Sequence, residues 1–279
     1  MIAVGVIGAV VGGAVFAAIM AAIGLGAYHE LSRMTPRIGL GYQLAWPGYG
    51  VIFLGAALAL LSRDAWTIAA MAAIAMLLPT LLIFRMDISS ESFAAWLATL
   101  AAGAYIGFPV FAAIAMRQSA GDLDVGWASD LGEAFSTGDT SMALGMAWTM
   151  LAILVTWLAD TFALFVGRAI GRTPLIPHIS PKKTLEGAIG GFLGGVIAVV
   201  LITLLLGIPD VSIPLAIGIG VLLSVVGICG DLMESFIKRS AGVKDSGALI
   251  PGHGGVFDRV DALLPTFLVA WVLLQAVSA

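Results

Sequence analysis

Long apolar runs separated by short polar stretches set the pattern of this chain. Eight runs stand out, near Ile2–Ala27, Pro47–Leu61, Trp66–Phe84, Phe93–Met116, Met142–Val166, Gly187–Leu206, Ile213–Cys229 and Val256–Val277. A helix needs about 20 apolar residues to cross a bilayer. Most of the runs reach that length, while the second and seventh are short. Backbone facing lipid must satisfy its own hydrogen bonds, so runs of this kind read as helices rather than strands. The pattern predicts an all-α, polytopic integral membrane protein of about eight to nine transmembrane helices. The first run is not a secretory signal, because such signals begin with basic residues, and here the first basic residue is Arg33, after the run. It is expected to be a retained span.

The polar stretches divide by charge. The odd-numbered loops, with the charged start of the last run, hold Arg33, Arg37, Arg85, Arg168, Arg172, Lys182, Lys183, Lys238, Arg239, Lys244 and Arg259. The even-numbered loops hold Arg63 and Arg117, and eleven plus two accounts for all 13 Lys and Arg. Basic residues favour the cytoplasmic side of a membrane, so the odd loops are expected there, with both termini outside. The fourth loop, Arg117–Ser141, carries Asp122, Asp124, Asp130, Glu133 and Asp139 and fits the outer side. The two richest loops, Gly167–Glu186 and Gly230–Gly255, then share one face and can meet over one site.

Composition agrees with this picture. The chain is 60% hydrophobic and 11% charged, more apolar than a soluble domain needs. Its net charge of -4 speaks against a nucleic-acid binder. Cys229 is the one cysteine and lies in an apolar run, as a small packing residue does. The spacing Gly187-x-x-x-Gly191 with Gly191-x-x-x-Gly195 lets helices approach closely, and leaves a homodimer open.

The chemistry concentrates in three stretches. In Gly230–Asp245, Asp231, Glu234 and Ser235 fall on one helix face, followed by Lys238, Arg239 and Lys244. Such a cluster also fits an ordinary solvated helix with internal ion pairs. Here it ends an apolar run, and ionisable groups at membrane depth are expensive. In PGHGGVFDRVD, Pro251 and Gly252 break any helix, and Gly254 and Gly255 keep the backbone open to a ligand. Asp258 and Asp261 sit three apart at the next helix start. Paired carboxylates suit Mg²⁺; they also suit a helix cap.

The third stretch, Gly167–Gly187, follows Asp160, an acid inside a predicted span. Ser180-Pro181-Lys182-Lys183-Thr184 places two ammonium groups and two hydroxyls just before a helix, whose N-terminal amides attract phosphate. Lys182 and Lys183 also fit a topology signal that touches only lipid headgroups, and Glu186 fits a first-turn cap. Carboxylates for a metal, cations for phosphates and open loops at one membrane face together fit phosphoryl or nucleotidyl transfer. The chain has no G-x-x-x-x-G-K-[ST] loop, no H-E-x-x-H helix and no G-x-S-x-G turn.

Ser235 to Asp261 resembles the signature of the phosphatidate cytidylyltransferases, or CDP-diglyceride synthases. That signature runs S-x-x-K-R-x-x-x-x-K-D, a small and an apolar residue, P-G-H-G-G and D-R-x-D. Ser235, Lys238, Arg239, Lys244, Asp245, Gly247, Ile250, Pro251, His253, Gly254, Gly255, Asp258, Arg259 and Asp261 all fit. Upstream, GR-x-x-GR and ISPKKT-x-EG resemble the family's second region. The runs before Gly167 carry no assignable motif. The resemblance implies transfer of a cytidylyl group from CTP to phosphatidic acid with Mg²⁺, a second cation being left open. The products would be CDP-diacylglycerol and pyrophosphate.

On this reading Asp231, Asp258 and Asp261 hold metal. Lys238, Arg239, Lys244, Asp245 and His253 form the catalytic group, with His253 binding phosphate or moving a proton. Ser180, Lys182, Lys183, Ser235, Gly254, Gly255 and Arg259 bind substrate phosphates. Residues 1–141 supply N-terminal spans and the acidic outer loop, and 142–279 the catalytic region of a single membrane domain. The expected partners are CTP, phosphatidic acid and membrane lipid. The expected place is a bacterial inner (plasma) membrane, with the site facing the cytoplasm. Two rivals fit less well. An anion transporter would spread its charges through the midplane, and a CDP-alcohol phosphotransferase would carry a D-G-x-x-A-R motif that is absent here.

Overall fold

The computed structural model describes residues 2–40, 45–61, 66–81, 84, 86–135, 141–247 and 254–278. Among them are ten α-helices: α1 (Ile2–Val11), α2 (Gly13–Met34), α3 (Ala45–Leu61), α4 (Trp66–Thr80), α5 (Ser90–Arg117), α6 (Gly126–Ala134), α7 (Ala143–Ile170), α8 (Leu185–Leu206), α9 (Ile213–Ser240) and α10 (Leu263–Val277). One antiparallel hairpin joins α7 to α8. It pairs β1 (Pro174–Ile176) with β2 (Ser180–Thr184), Pro174 opposite Thr184 and Ile176 opposite Ser180. The protein is an all-α, polytopic membrane protein. Five helices are long and apolar enough to cross a bilayer: α2 with the turn that follows it, α5, α7, α8 and α9. Three shorter apolar helices, α3, α4 and α10, match the remaining runs.

Several boundaries differ from the sequence expectation. The first run is two helices rather than a single span, because Gly12 (φ 64°) and Gly13 (φ 52°) both take left-handed backbone. Glycine alone adopts that conformation without strain. Helix α1 folds back so that Gly8 lies against Phe16 and Ile19 of α2. Helix α2 then runs on to Met34, seven residues past the expected end. Helix α9 likewise continues past Cys229 to Ser240. The expected last span, from Val256, opens instead with a loop and a 3-10 turn at Phe257–Arg259, and α10 starts at Leu263.

The interior forms around α5, which packs against α2, α3, α4, α7 and α10. Helices α7 and α8 approach along a glycine face of α8. A Cβ at Gly190 would stand 2.6 Å from Val166, and one at Gly194 would stand 2.6 Å from the Leu158 carbonyl. Gly187 and Gly191 face α7, and Gly195 faces Gly220 and Ser224 of α9. The spacing that left a homodimer open is thus used within the chain.

The break between α1 and α2 leaves carbonyls without helical partners. The fully buried Arg117 answers two of them, its guanidinium donating to the carbonyls of Ala9 (2.5 Å) and Val10 (2.8 Å), and it also reaches the carbonyl of Met142, just before α7 (3.4 Å). Hydrogen bonds from a charged donor are each worth about 1.5–3 kcal/mol, and losing the donor also orphans the acceptors. Replacing Arg117 by Met is therefore expected to cost about 3 kcal/mol of stability, read as a lower midpoint of unfolding in detergent. An unchanged midpoint would rule out this role for the guanidinium.

Candidate active site

The site begins with the last three turns of α9. Leu232, Met233, Glu234, Lys238 and Arg239 are all good helix formers, which carries the helix past Gly230. Asp231, Glu234 and Lys238 then share one face. Gly230 matters through its missing side chain. A Cβ there would stand 2.7 Å from Pro265 and collide with the Asp261 carbonyl. The entry to α10 can therefore lie directly against α9, which brings Asp261 to Asp231.

Asp231, Glu234 and Asp261 each offer a carboxylate oxygen, and these oxygens lie within 4.8 Å of one another. Burial pushes the Asp261 carboxyl up to about 7, with the charges of Asp231 and Asp160 acting in the same direction. The Ala262 amide and Lys183 oppose the rise. Asp160 reaches this group from α7, so the acid noted inside a predicted span belongs to the same constellation. Two lysines answer the carboxylates. Lys183, on β2, pairs with Asp231. Lys238 pairs with Glu234 (2.5 Å) and Asp258 (2.8 Å). The two basic loops thus meet, as their shared charge sign implied.

The hairpin that carries Lys183 is tied to the start of α8. Glu186 accepts from the amides of Arg172 (3.1 Å) and Thr173 (3.2 Å) and from the Thr173 hydroxyl (2.9 Å). The Thr184 hydroxyl caps α8 by accepting from the Gly187 amide (3.1 Å). Glu186 therefore holds the hairpin as well as sitting in the first turn of its own helix. In β2, Ser180 pairs with Ile176 at the turn and Lys182 is exposed.

Asp258 borders the cluster, meeting Glu234 and sharing Lys238 with it, and also binds the loop. Its carboxylate accepts from the amides of Gly255 (2.8 Å) and Ser246 (3.0 Å) and pairs with Lys238. Burial opposes its ionisation, but contacts with Glu234, Lys238 and the two amides outweigh that and hold it well below the usual carboxylate range. Gly254 is left-handed at φ 79°. Gly255 is buried, and a Cβ on it would collide with Ser246 and Glu30. The loop's own folding thus requires a glycine at each position.

Glu30 was missed in the sequence. It lies on α2 and is 2% exposed. Its carboxylate accepts from the Ser246 hydroxyl (2.8 Å) and the amides of Phe257 (2.9 Å) and Val256 (3.0 Å). The first run was expected to end at Ala27, which placed Glu30 in a loop. The available signal was an acid within one helical turn of an apolar stretch.

Beside it, a cavity of about 460 Å³ opens between α2 and the Val243–Gly247 segment. His29, Glu30, Arg33 and Arg37 line one side, and Asp245, Ser246 and Gly247 the other. Arg239, Lys244, Asp245 and Arg259 are exposed, and Ser235 is half-buried. His253 lies outside the described residues, as do Ile250 and Pro251.

The donor set fits a divalent cation. Carboxylate oxygens are hard ligands of the kind that Mg²⁺, Mn²⁺ and Ca²⁺ prefer, and a cation would relieve the mutual repulsion that raises Asp261. Asp231, Glu234 and Asp261 are grouped so that they could hold it, and Asp258, expected as a ligand, also binds the loop amides. Asp231→Asn and Asp261→Asn are each expected to weaken Mn²⁺ binding roughly tenfold or more, measured by titration of the purified protein. Asp258→Asn is expected to leave that affinity nearly unchanged. Lys183→Ala is expected to tighten it, because the ammonium competes for Asp231. A loss at Asp258 equal to that at Asp261 would contradict this division of roles.

The chain is 49% identical over 130 residues to phosphatidate cytidylyltransferase 5, chloroplastic, of Arabidopsis thaliana, covering 44% of this chain and 32% of that protein. It is 42% identical over 135 residues to the phosphatidate cytidylyltransferase of Thermotoga maritima, covering 47% and 50% respectively. Against the phosphatidate cytidylyltransferase of Bacillus subtilis it is 43% identical over 136 residues, 48% of this chain and 49% of that protein. The matched stretch thus spans half or less of each of these relatives. The model of the cytidylyltransferase family, by contrast, matches residues 1–277. On that match the chain belongs to the cytidylyltransferase family.

Proposed function

We propose that this protein transfers the cytidylyl group of CTP to phosphatidic acid, giving CDP-diacylglycerol and pyrophosphate. The observation that carries the reading is the cluster of Asp231, Glu234 and Asp261, bracketed by Lys183 and Lys238 at the ends of membrane helices. The signature from Ser235 to Asp261 and the printed names of the relatives support it.

In this reaction a phosphatidate oxygen attacks the α-phosphorus of CTP. The bond from that phosphorus to the bridging oxygen of the β-phosphate breaks, and pyrophosphate leaves with the electron pair. The attacking phosphate is already ionised, so no general base is required. The protein's task is to bring two anions together and stabilise charge on the leaving group. Mg²⁺ held by Asp231, Glu234 and Asp261 would neutralise phosphate charge when bound. Lys183 and Lys238, paired with these acids, would be the nearest cations available to the phosphates. Lys182, Arg239, Lys244 and Arg259 are exposed around the same loops and can hold the outer phosphates. The cavity between α2 and the Val243–Gly247 segment is of a size that accepts a nucleotide. The bias of basic residues to the odd loops supports a site on the cytoplasmic face of the plasma membrane.

Detergent-purified protein given CTP, phosphatidic acid and Mg²⁺ is expected to release pyrophosphate and form CDP-diacylglycerol, with no product when any one of the three is left out. Asp261→Asn is expected to abolish turnover while the protein stays folded. Turnover that persists without phosphatidic acid, or full activity in Asp261→Asn, would overturn the reading.

A further inference from the structure

We infer that Glu30 is a positioning residue, through which helix α2 sets the geometry of Ser246 and of the Gly255–Asp261 segment that leads into α10. A carboxylate in the last turns of a helix is opposed by the helix dipole, and burying it costs further free energy unless donors surround it. Glu30 is 2% exposed, and its donors come from the loop, 216 to 227 residues away in sequence. Charge-assisted hydrogen bonds of this kind are the stronger ones.

The loop is held from two sides. Glu30 takes the Ser246 hydroxyl and the amides of Val256 and Phe257. Asp258 takes the amides of Ser246 and Gly255. Together they fix Ser246 beside the turn at Val256–Phe257, four residues before Asp261. The Phe257 ring is buried against Tyr105 of α5, with ring centroids 6.3 Å apart, which anchors the same turn. Two glycines of the loop follow from this arrangement. A Cβ at Gly247 would stand 2.5 Å from the Glu30 carboxylate, and one at Gly255 would collide with it. A small shift of this turn would move Asp261 relative to Asp231 and Glu234, and misplacement by about 1 Å can cost a hundredfold in rate.

The inference deepens the proposed transferase reading and rests on it for the kinetic part of its test. Glu30→Gln keeps the shape but offers only one acceptor oxygen. It is expected to lower kcat roughly 10- to 100-fold, as loss of a group that orients ligands does, with the KM for CTP and phosphatidic acid changed by less than about threefold. Hydrogen exchange at Val256 and Phe257 is expected to rise at least about tenfold, with α7 and α8 unaffected. Full kcat in Glu30→Gln, or exchange that rises across the whole chain, would overturn the inference.

Gly247→Ala supplies an independent arm. It is expected to loosen the same amides in the natural protein and to add little in a Glu30→Ala background, because the atoms nearest to its Cβ are those of the Glu30 carboxylate; additive effects would count against the latch. Should the Glu30 variants fail to fold, Ser246→Ala removes one donor only. It is expected to lower kcat and raise exchange at the same amides, and an unaffected Ser246→Ala would overturn the latch. The exchange measurements need no substrate, so they report on Glu30 even if CTP and phosphatidic acid prove to be the wrong substrates.

Discussion

Negative charge gathered at the end of membrane helices is the constraint on which the rest of this site depends. Asp160, Asp231, Glu234 and Asp261 come from three separate elements and act on one another. Such a group is costly near lipid unless it is compensated. The protein compensates it with Lys183 from the hairpin and Lys238 from α9. Each lysine is held where a phosphate-bearing substrate would also need it. Under the proposed reading, stability and chemistry would draw on the same charges.

Close backbone approach makes that concentration of charge geometrically attainable. Glycines along α8 let α7 come near enough for Asp160 to share the site. Gly230 does the same for α9 and the entry of α10. At the far end of the N-terminal helices, Arg117 seals the α1–α2 corner with two carbonyl contacts. Helix α2 is therefore fixed at one end by the Arg117 corner and at the other by the contacts of Glu30 with the loop. The N-terminal spans, which carry no recognisable motif, contribute a structural part of the site.

The helical, membrane-spanning architecture was legible because apolar runs must hydrogen-bond internally, and all eight runs correspond to helices. The meeting of the two basic loops followed from charge sign alone. The helix ends were not legible in the same way. Hydropathy marks where polar residues begin, but α2 and α9 continue beyond that point, since Glu, Lys, Leu and Met propagate a helix whatever surrounds it. That shift hid Glu30, whose partners lie more than 200 residues away, beyond the reach of any spacing rule. Asp258 and Asp261 looked equivalent by spacing. The 3-10 turn at Phe257–Arg259 gives them different partners: Asp258 takes the loop amides and meets Glu234 from one side, while Asp261 lies with Asp231 and Glu234. Gly254 and Gly255 read as openings for a ligand; the left-handed backbone of Gly254 and the closeness of Glu30 to Gly255 are further demands that the sequence did not show.

Locating a bound cation tests this account most directly. Anomalous diffraction from crystals of the protein soaked with Mn²⁺ would place the ion without reference to turnover. The account predicts a single strong peak shared by the carboxylates of Asp231, Glu234 and Asp261, at coordination distances of about 2.0–2.2 Å. A peak on Asp258 with none at the other three would contradict it.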